Sequence, residues 1–169
     1  MPRIAGYRCT ICGREFPFGP ELMTCPDCGE KGILDILYDY DEVGRALTRE
    51  SLAACRDNSM WRYRALLPVG DGVDVSRFLR IGWSPLYRSL SLGRELGLRA
   101  LYVKDDGINP TASLKDRASG VAVAKAIELG YDTIACSSTG NAASSCAGSA
   151  ARLFHESPCS AEELSVFRV

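Results

Sequence analysis

"NPTASLKDRASGVAVAKAIELGYDTIACSSTGNAA", residues 109–143, is the stretch whose reading decides the fold. It opens on turn formers at Asn109 and Pro110, and then Leu114 to Leu129 runs without a proline to Gly130, which predicts one helix. Thr133 to Cys136 follows as a short apolar run suited to a buried strand, and Ala142 to about Leu153 reads as a second helix. Upstream, Leu101-Tyr102-Val103 is a short strand, preceded by a short helix over Ser91 to Leu98. Strand, helix, strand, helix predicts an α/β fold with parallel pairing and right-handed crossovers. Ala118, Val121, Ala122, Val123, Ala124, Ala126, Ile127 and Leu129 cover most of the first helix's circumference, so it is expected to be largely buried.

Lys115, Asp116 and Arg117 fall in that helix's first turn, at the carboxyl edge of the expected sheet, where open α/β folds bind ligands. The helix dipole disfavours a cation at this end. A surface charge is the plain reading of Lys115, but the same potential, with desolvation, favours a neutral amine able to attack a carbonyl. Asp116 and Arg117 are expected to pair with neighbours. One βα unit later, Cys136-Ser137-Ser138-Thr139-Gly140-Asn141-Ala142 runs from strand into helix through a turn that can offer backbone N–H groups to an anion. Both loops should emerge at one sheet edge, lysine facing anion cradle.

The rest of the 169-residue chain fits around this core. Apolar residues make up 46%, enough for one ordinary core or a small core with an appendage, and a formal net charge of −1 gives no global attraction to nucleic acid or an anionic membrane. No apolar run approaches the ~18 residues of a membrane span, and the first residues lack a secretory apolar segment, so a cytoplasmic location and no membrane partner are expected. Of eight cysteines, Cys9, Cys12, Cys25 and Cys28 form two Cys-x-x-Cys-Gly knuckles, a four-sulfur set suited to structural zinc, though soft thiolates also admit iron. The glycine after each pair, Gly13 and Gly29, permits the positive φ that turns backbone N–H groups toward sulfur. Cys55, Cys136, Cys146 and Cys159 read as small buried hydrophobes.

The resulting organisation is a zinc-ribbon-like segment over 1–40, a connecting region over 41–80 packing on the main domain, a partial α/β domain over 81–151, and an atypical tail over 152–169. Residues 33–40 alternate as a half-exposed strand leaving the ribbon, and Thr48 caps a short helix ending near Cys55. Arg3, Arg8, Arg14 and Lys31 are interleaved with Glu15, Glu21, Asp27 and Glu30, so the ribbon carries no phosphate-tracking stripe and no nucleic-acid partner is expected. A structural staple is the favoured role of the ribbon; a nucleic-acid or protein-binding module is the alternative.

"NPTASLKDRAS" resembles the Asn-Pro-Thr-Gly-Ser-Phe-Lys-Asp-Arg motif of the fold-type II pyridoxal-phosphate enzymes, and "SSTGNAASS" resembles their substrate-carboxylate loop. With the ribbon-like start, Trp61-Arg62-Tyr63-Arg64 and Ser84-Pro85-Leu86, the pattern over about residues 7–151 is most similar to the threonine synthase family. The resemblance implies a partial fold-type II domain, a parallel sheet with flanking helices, behind a small zinc ribbon. It implies that Lys115 holds pyridoxal 5'-phosphate and shuttles protons, that Asn141 bonds the cofactor's ring hydroxyl, and that Ser138, Thr139, Gly140 and Asn141 receive the substrate's carboxylate. The implied reaction converts O-phospho-L-homoserine and water to L-threonine and phosphate, with a small amino acid as partner and a homo-oligomer for a full-length form.

Several departures accompany the resemblance. Ala112 and Leu114 stand where the family has Gly and Phe, and Ala142 stands where threonine synthases often carry Thr, which keeps threonine dehydratase and cysteate synthase open as related activities. The family's Gly-rich phosphate loop and its polar residue at the pyridine nitrogen have no counterpart in the sequence. After Ala151 the tail, holding His155 as an incidental histidine, leaves the family pattern. A truncated or frame-shifted chain, inactive alone and poor at holding the cofactor, is the expectation.

Overall fold

Three short antiparallel strands build the cysteine-bearing end of the chain. The computed structural model describes residues 4–19, 22–153 and 165–168. It divides into two compact units, Met1–Asp57 with Trp61–Val73, and Asn58–Met60 with Asp74–Val169. In the first unit β1 (Ile4–Cys9) lies between β2 (Glu15–Phe16) and β3 (Leu34–Tyr38), with Tyr7 opposite both Phe16 and Ile36. Arg8 and Glu15 pair across strands at 2.6 Å, but both are exposed, so the pair is worth about 0–1 kcal/mol.

Two short helices follow, each started by its own cap. Asp39 accepts the N–H of Glu42 at 2.9 Å to open α1 (Tyr40–Ala46). Thr48 and Ser51 bond reciprocally at 3.1 and 2.9 Å to open α2 (Arg49–Ala54), so the expected cap and end hold. Trp61, Val69 and Val73 are buried here, and Arg64 spans the turn between them by donating to the carbonyls of Gly70 and of Val73, the latter at 2.8 Å.

The second unit carries β4 (Leu86–Arg88), α3 (Leu90–Glu95), β5 (Tyr102–Lys104), α4 (Lys115–Glu128), β6 (Thr133–Cys136), α5 (Asn141–Leu153) and β7 (Ser165–Arg168). The helices and strands foreseen from the periodicity are present within a residue or two at most ends. α4 stops because Gly130 takes φ 75° and its N–H reaches Ile127 O at 3.0 Å while Tyr131 N–H reaches Ala126 O at 2.9 Å, which satisfies the last carbonyls. α4 packs on α5 and β6 packs beneath α5, around Cys146, Ala150, Ile134 and Cys136.

Three expectations are corrected. The parallel sheet does not form among the described residues: β5 pairs with β4 and β6 with β7, and every pairing is antiparallel. Strand partners are chosen by distant chain, and the edge of β6 is taken by β7, so the crossover order alone did not determine them. β7 itself arises in the tail where the sequence suggested no element. α4 is buried along one face only, through Asp116, Ser119, Gly120, Val123 and Ala124, because α5 covers that face, and β6 alternates half-buried with exposed residues. Of the scattered cysteines Cys146 is buried and Cys55 and Cys136 are half-buried; His155 and Cys159 lie outside the described residues. No helix among the described residues is long and apolar enough to cross a membrane.

Candidate active site and cysteine cluster

The 109–117 stretch folds as a tight turn running straight into α4. Asn109, buried, holds it from three sides: its Oδ1 accepts Gly82 N–H at 2.9 Å, and its Nδ2 donates to the carbonyls of Asp106 and Ser113 at 3.0 and 3.2 Å. Ala112 N–H closes on Asn109 O at 2.8 Å with Ala112 in the left-handed region at φ 56°. Ser113 Oγ then accepts Lys115 N–H at 3.1 Å, so Lys115 becomes the first residue of α4. Its side chain is exposed, and its amine makes no hydrogen bond or ion pair among the described residues.

Asp116 is fully buried, and it is the centre of the local network. Its carboxylate accepts the Thr111 N–H at 2.8 Å, the Thr111 hydroxyl, and the Ser145 hydroxyl at 2.6 Å. Three donors satisfy a buried carboxylate that would otherwise be strongly unfavourable. Because Ser145 lies in the second turn of α5, the bond sets the beginnings of α4 and α5 side by side. Thr111 also packs on α5: a Cβ on Gly148 would stand 2.7 Å from Thr111 Cγ2, so only glycine allows this approach.

Arg117 turns to the other side and clamps Asp106 through two bonds of 2.7 and 2.8 Å, while Ser84 Oγ donates to the same carboxylate at 2.5 Å. The guanidinium of Arg117 first, and the Ser84 hydroxyl second, hold the Asp106 carboxyl well below the usual carboxylate range. The expectation that Asp116 and Arg117 pair with neighbours therefore holds for both. Sequence reasoning missed Thr111, Ser145, Asp106 and Ser84 as their partners, and Asn109 as the residue that holds the turn. The one signal available was Ser145 and Ser149 one turn apart on a helix otherwise made of small residues.

At the start of α5, Ser138 is half-buried and Thr139, Gly140 and Asn141 are exposed. Gly140 N–H is taken by Ser138 Oγ at 3.2 Å, whereas the backbone N–H groups of Thr139, Asn141 and Ala142 donate to nothing among the described residues. No acidic side chain occupies that first turn. This is a set of open donors at the positive end of a 13-residue helix, suited to a carboxylate or phosphate oxygen. An accessible amine and an open anion cradle, at the starts of two helices tied together by Asp116, fit the aldehyde and anionic groups of pyridoxal phosphate and its amino-acid substrates.

The four N-terminal cysteines converge in the first unit. Their sulfurs lie within 4.8 Å of one another, with Cys12 and Cys25 at 3.8 Å. Gly13 and Gly29 take φ 74° and 61°, as the knuckle pattern requires, and Ile11 N–H points at Cys9 Sγ at 3.4 Å. The thiols influence each other unequally. Hydrogen bonding from the backbone of Cys12 lowers Cys9 to about 7, while the neighbouring thiols, Cys12 foremost, push Cys28 up to about 12. Four thiolates at this spacing cannot all ionise together unless a cation lies among them, and the donor set fits a soft divalent metal.

Residues 77–159 match the family model described as pyridoxal-phosphate dependent enzyme. The chain is 42% identical over 145 residues to threonine synthase of Methanocaldococcus jannaschii, covering 86% of this chain and 35% of that protein. It is 41% identical over 135 residues to threonine synthase of Methanosarcina acetivorans, covering 79% and 31%. Over 93 residues it is 47% identical to threonine synthase of Bacillus sp. (strain ULM1), covering 54% and 26%. The chain thus spans about a third of the length of these curated relatives. No solved structure matches it. Over most of its length the chain is related to threonine synthases, and its residues 77–159 match the pyridoxal-phosphate dependent enzyme family.

Proposed function

We propose that this chain is the lysine-bearing part of a cytoplasmic pyridoxal-phosphate dependent lyase of the threonine synthase type, acting on O-phospho-L-homoserine and water to give L-threonine and phosphate. The observation that carries the reading is Lys115: an exposed amine with no partner among the described residues, at the first residue of α4, with the similarly open donors of Thr139, Asn141 and Ala142 at the start of the adjacent α5. The bound cofactor supplies an electron sink for carbanions formed on the amino acid. Lys115 holds it and moves protons at the substrate's carbon atoms. Ser138, Thr139 and Gly140 bind the substrate carboxylate, and Asn141 orients the cofactor ring. Asp116 fixes the spacing between these two groups without touching either. Ala142 places no hydroxyl beside Asn141, the one feature favouring a related enzyme of the same family, threonine dehydratase or cysteate synthase, over threonine synthase.

The cysteine cluster is proposed to hold structural zinc that staples β1, β2 and β3 together. A small-molecule substrate and no nucleic-acid partner complete the reading, with self-association reserved for a full-length form.

Reductive trapping tests it. Incubation with pyridoxal phosphate and borohydride should label Lys115 ahead of Lys31, Lys104 and Lys125, as read by peptide mass spectrometry, and free phosphate should compete. Labelling spread evenly over the four lysines would sink the assignment of Lys115.

A further inference from the structure

A second anion-seeking feature lies in the unit that carries Lys115, in a part of the chain that none of the proposed site residues reaches. The end of β4, one face of α3 and the return to β5 enclose a half-open cavity of about 410 Å³. Its rim carries Arg88, the last residue of β4, Arg94 in the last turn of α3, and Arg99 in the return loop. None of the three makes an ion pair or a side-chain hydrogen bond among the described residues. Residues 85–104 hold four basic side chains against a single acid, Glu95, in a chain whose net charge is −1. Three exposed arginines line one hollow, none with a counter-charge among the described residues, and an anion seated there is within reach of long side chains that can turn their guanidiniums onto it.

The walls are firm and partly apolar. Ser89 N–H donates to Leu101 O at 2.9 Å, and Leu98 N–H to Gly93 O at 2.8 Å, so the backbone frames the cavity from both sides. Ser89, which lines the hollow, precedes α3, but its hydroxyl does not cap the helix and has no other partner among the described residues. Leu90 and Leu98, 61% and 48% exposed, supply apolar surface that water covers in the free protein. The volume falls within the range of small-molecule sites, about 300–1,000 Å³. A bare inorganic anion would use the arginines and leave the leucines wet.

We propose that this cavity is a binding site for a small organic phosphate, the phosphate dianion held by Arg88, Arg94 and Arg99 and the organic body laid on Leu90 and Leu98. Fork geometry favours a phosphate over a single carboxylate, because its three free oxygens accept paired guanidinium bonds from more than one side. The enclosed volume favours a small molecule over a polyanion, which would bridge across the rim and fill none of it.

Calorimetric titration of the full chain tests this, with phenyl phosphate as the probe, inorganic phosphate as the head alone and phenol as the body alone. Phenyl phosphate should bind about tenfold tighter than inorganic phosphate, since burying part of a ring on the leucines contributes on the order of a decade in affinity. Phenol should give no measurable heat. The double change Arg94→Gln with Arg99→Gln should weaken phenyl phosphate at least about tenfold, each charged bond being worth about a decade or more. Arg94→Lys with Arg99→Lys, which keeps charge and fold but loses the fork, should lie between. Lys31→Ala, an exposed basic side chain in the other unit, should leave phenyl phosphate binding unchanged, which separates the arginine cavity from a general attraction to basic surface. Unchanged binding in both double variants, equal weakening by Lys31→Ala, or an oligonucleotide that displaces phenyl phosphate at equal phosphate concentration would each overturn the proposal.

Discussion

Replacing Ala112 by glycine should stabilise the second unit, whereas the same replacement ten residues later should destabilise it. Ala112 is exposed and held at φ 56°, a conformation that costs a side chain with a Cβ about 1–2 kcal/mol. Ala112→Gly removes that cost and adds the extra backbone entropy glycine has when unfolded, about 0.4–1 kcal/mol. The net is a gain of about 0.5 kcal/mol. Ala122 is also exposed, in the interior of α4, where glycine costs about 1 kcal/mol relative to alanine. Both variants carry the same unfolded-state penalty, so their difference isolates the strain at residue 112. That difference should be about 1–2 kcal/mol in urea unfolding followed by helical circular dichroism, to which α4 and α5 are the longest contributors. Equal destabilisation by both variants would refute the idea that the turn before Lys115 stores backbone strain.

Asp116→Asn should cost about 2–4 kcal/mol, because an amide facing three donors loses the charge they bind and points one donor at another; a urea midpoint within error of the parent would count against it. Gly148→Ala should cost about 1–3 kcal/mol through overpacking against Thr111, and Thr111→Ser, which removes the opposing methyl, should recover part of it. Asp106, with its folded pKa below its unfolded value, contributes stability that is present in full above about pH 5 and is lost as pH falls through the acid range. Asp106→Asn should flatten that part of the stability–pH curve, and an unchanged acid limb would remove Asp106–Arg117 as its source. Chelation should abolish hydrogen-exchange protection in β1 and β3 while leaving α4 protected, whereas equal protection with and without chelator would argue against a resident metal.

What could be read from the sequence was what local chemistry determines. The knuckle glycines, the Thr48 cap, the stop at Gly130 and the extents of α4 and α5 each follow from a few neighbouring residues, and each is found. Strand pairing was illegible because β6 and β7 are joined by distant chain, and an apolar run such as Thr133–Cys136 states neither its partner nor its direction. Asp116 was only half legible. In the first turn of a helix a carboxylate already has a reason to exist in the dipole, and nothing in its immediate sequence announces that Ser145, 29 residues on, completes its shell.

That carboxylate also settles which motions this end of the chain can make. The Asp116 carboxylate, gripped by Thr111 of the turn on one side and Ser145 of α5 on the other, acts as a rivet: parting the two helix starts breaks the Ser145 bond and leaves a buried carboxylate one donor short. Lys115 and the Thr139–Asn141 turn therefore travel as one body. Any opening or closing around a ligand at this place must come from segments that swing against that body, and a search for hinges should begin outside residues 109–117 and 138–145.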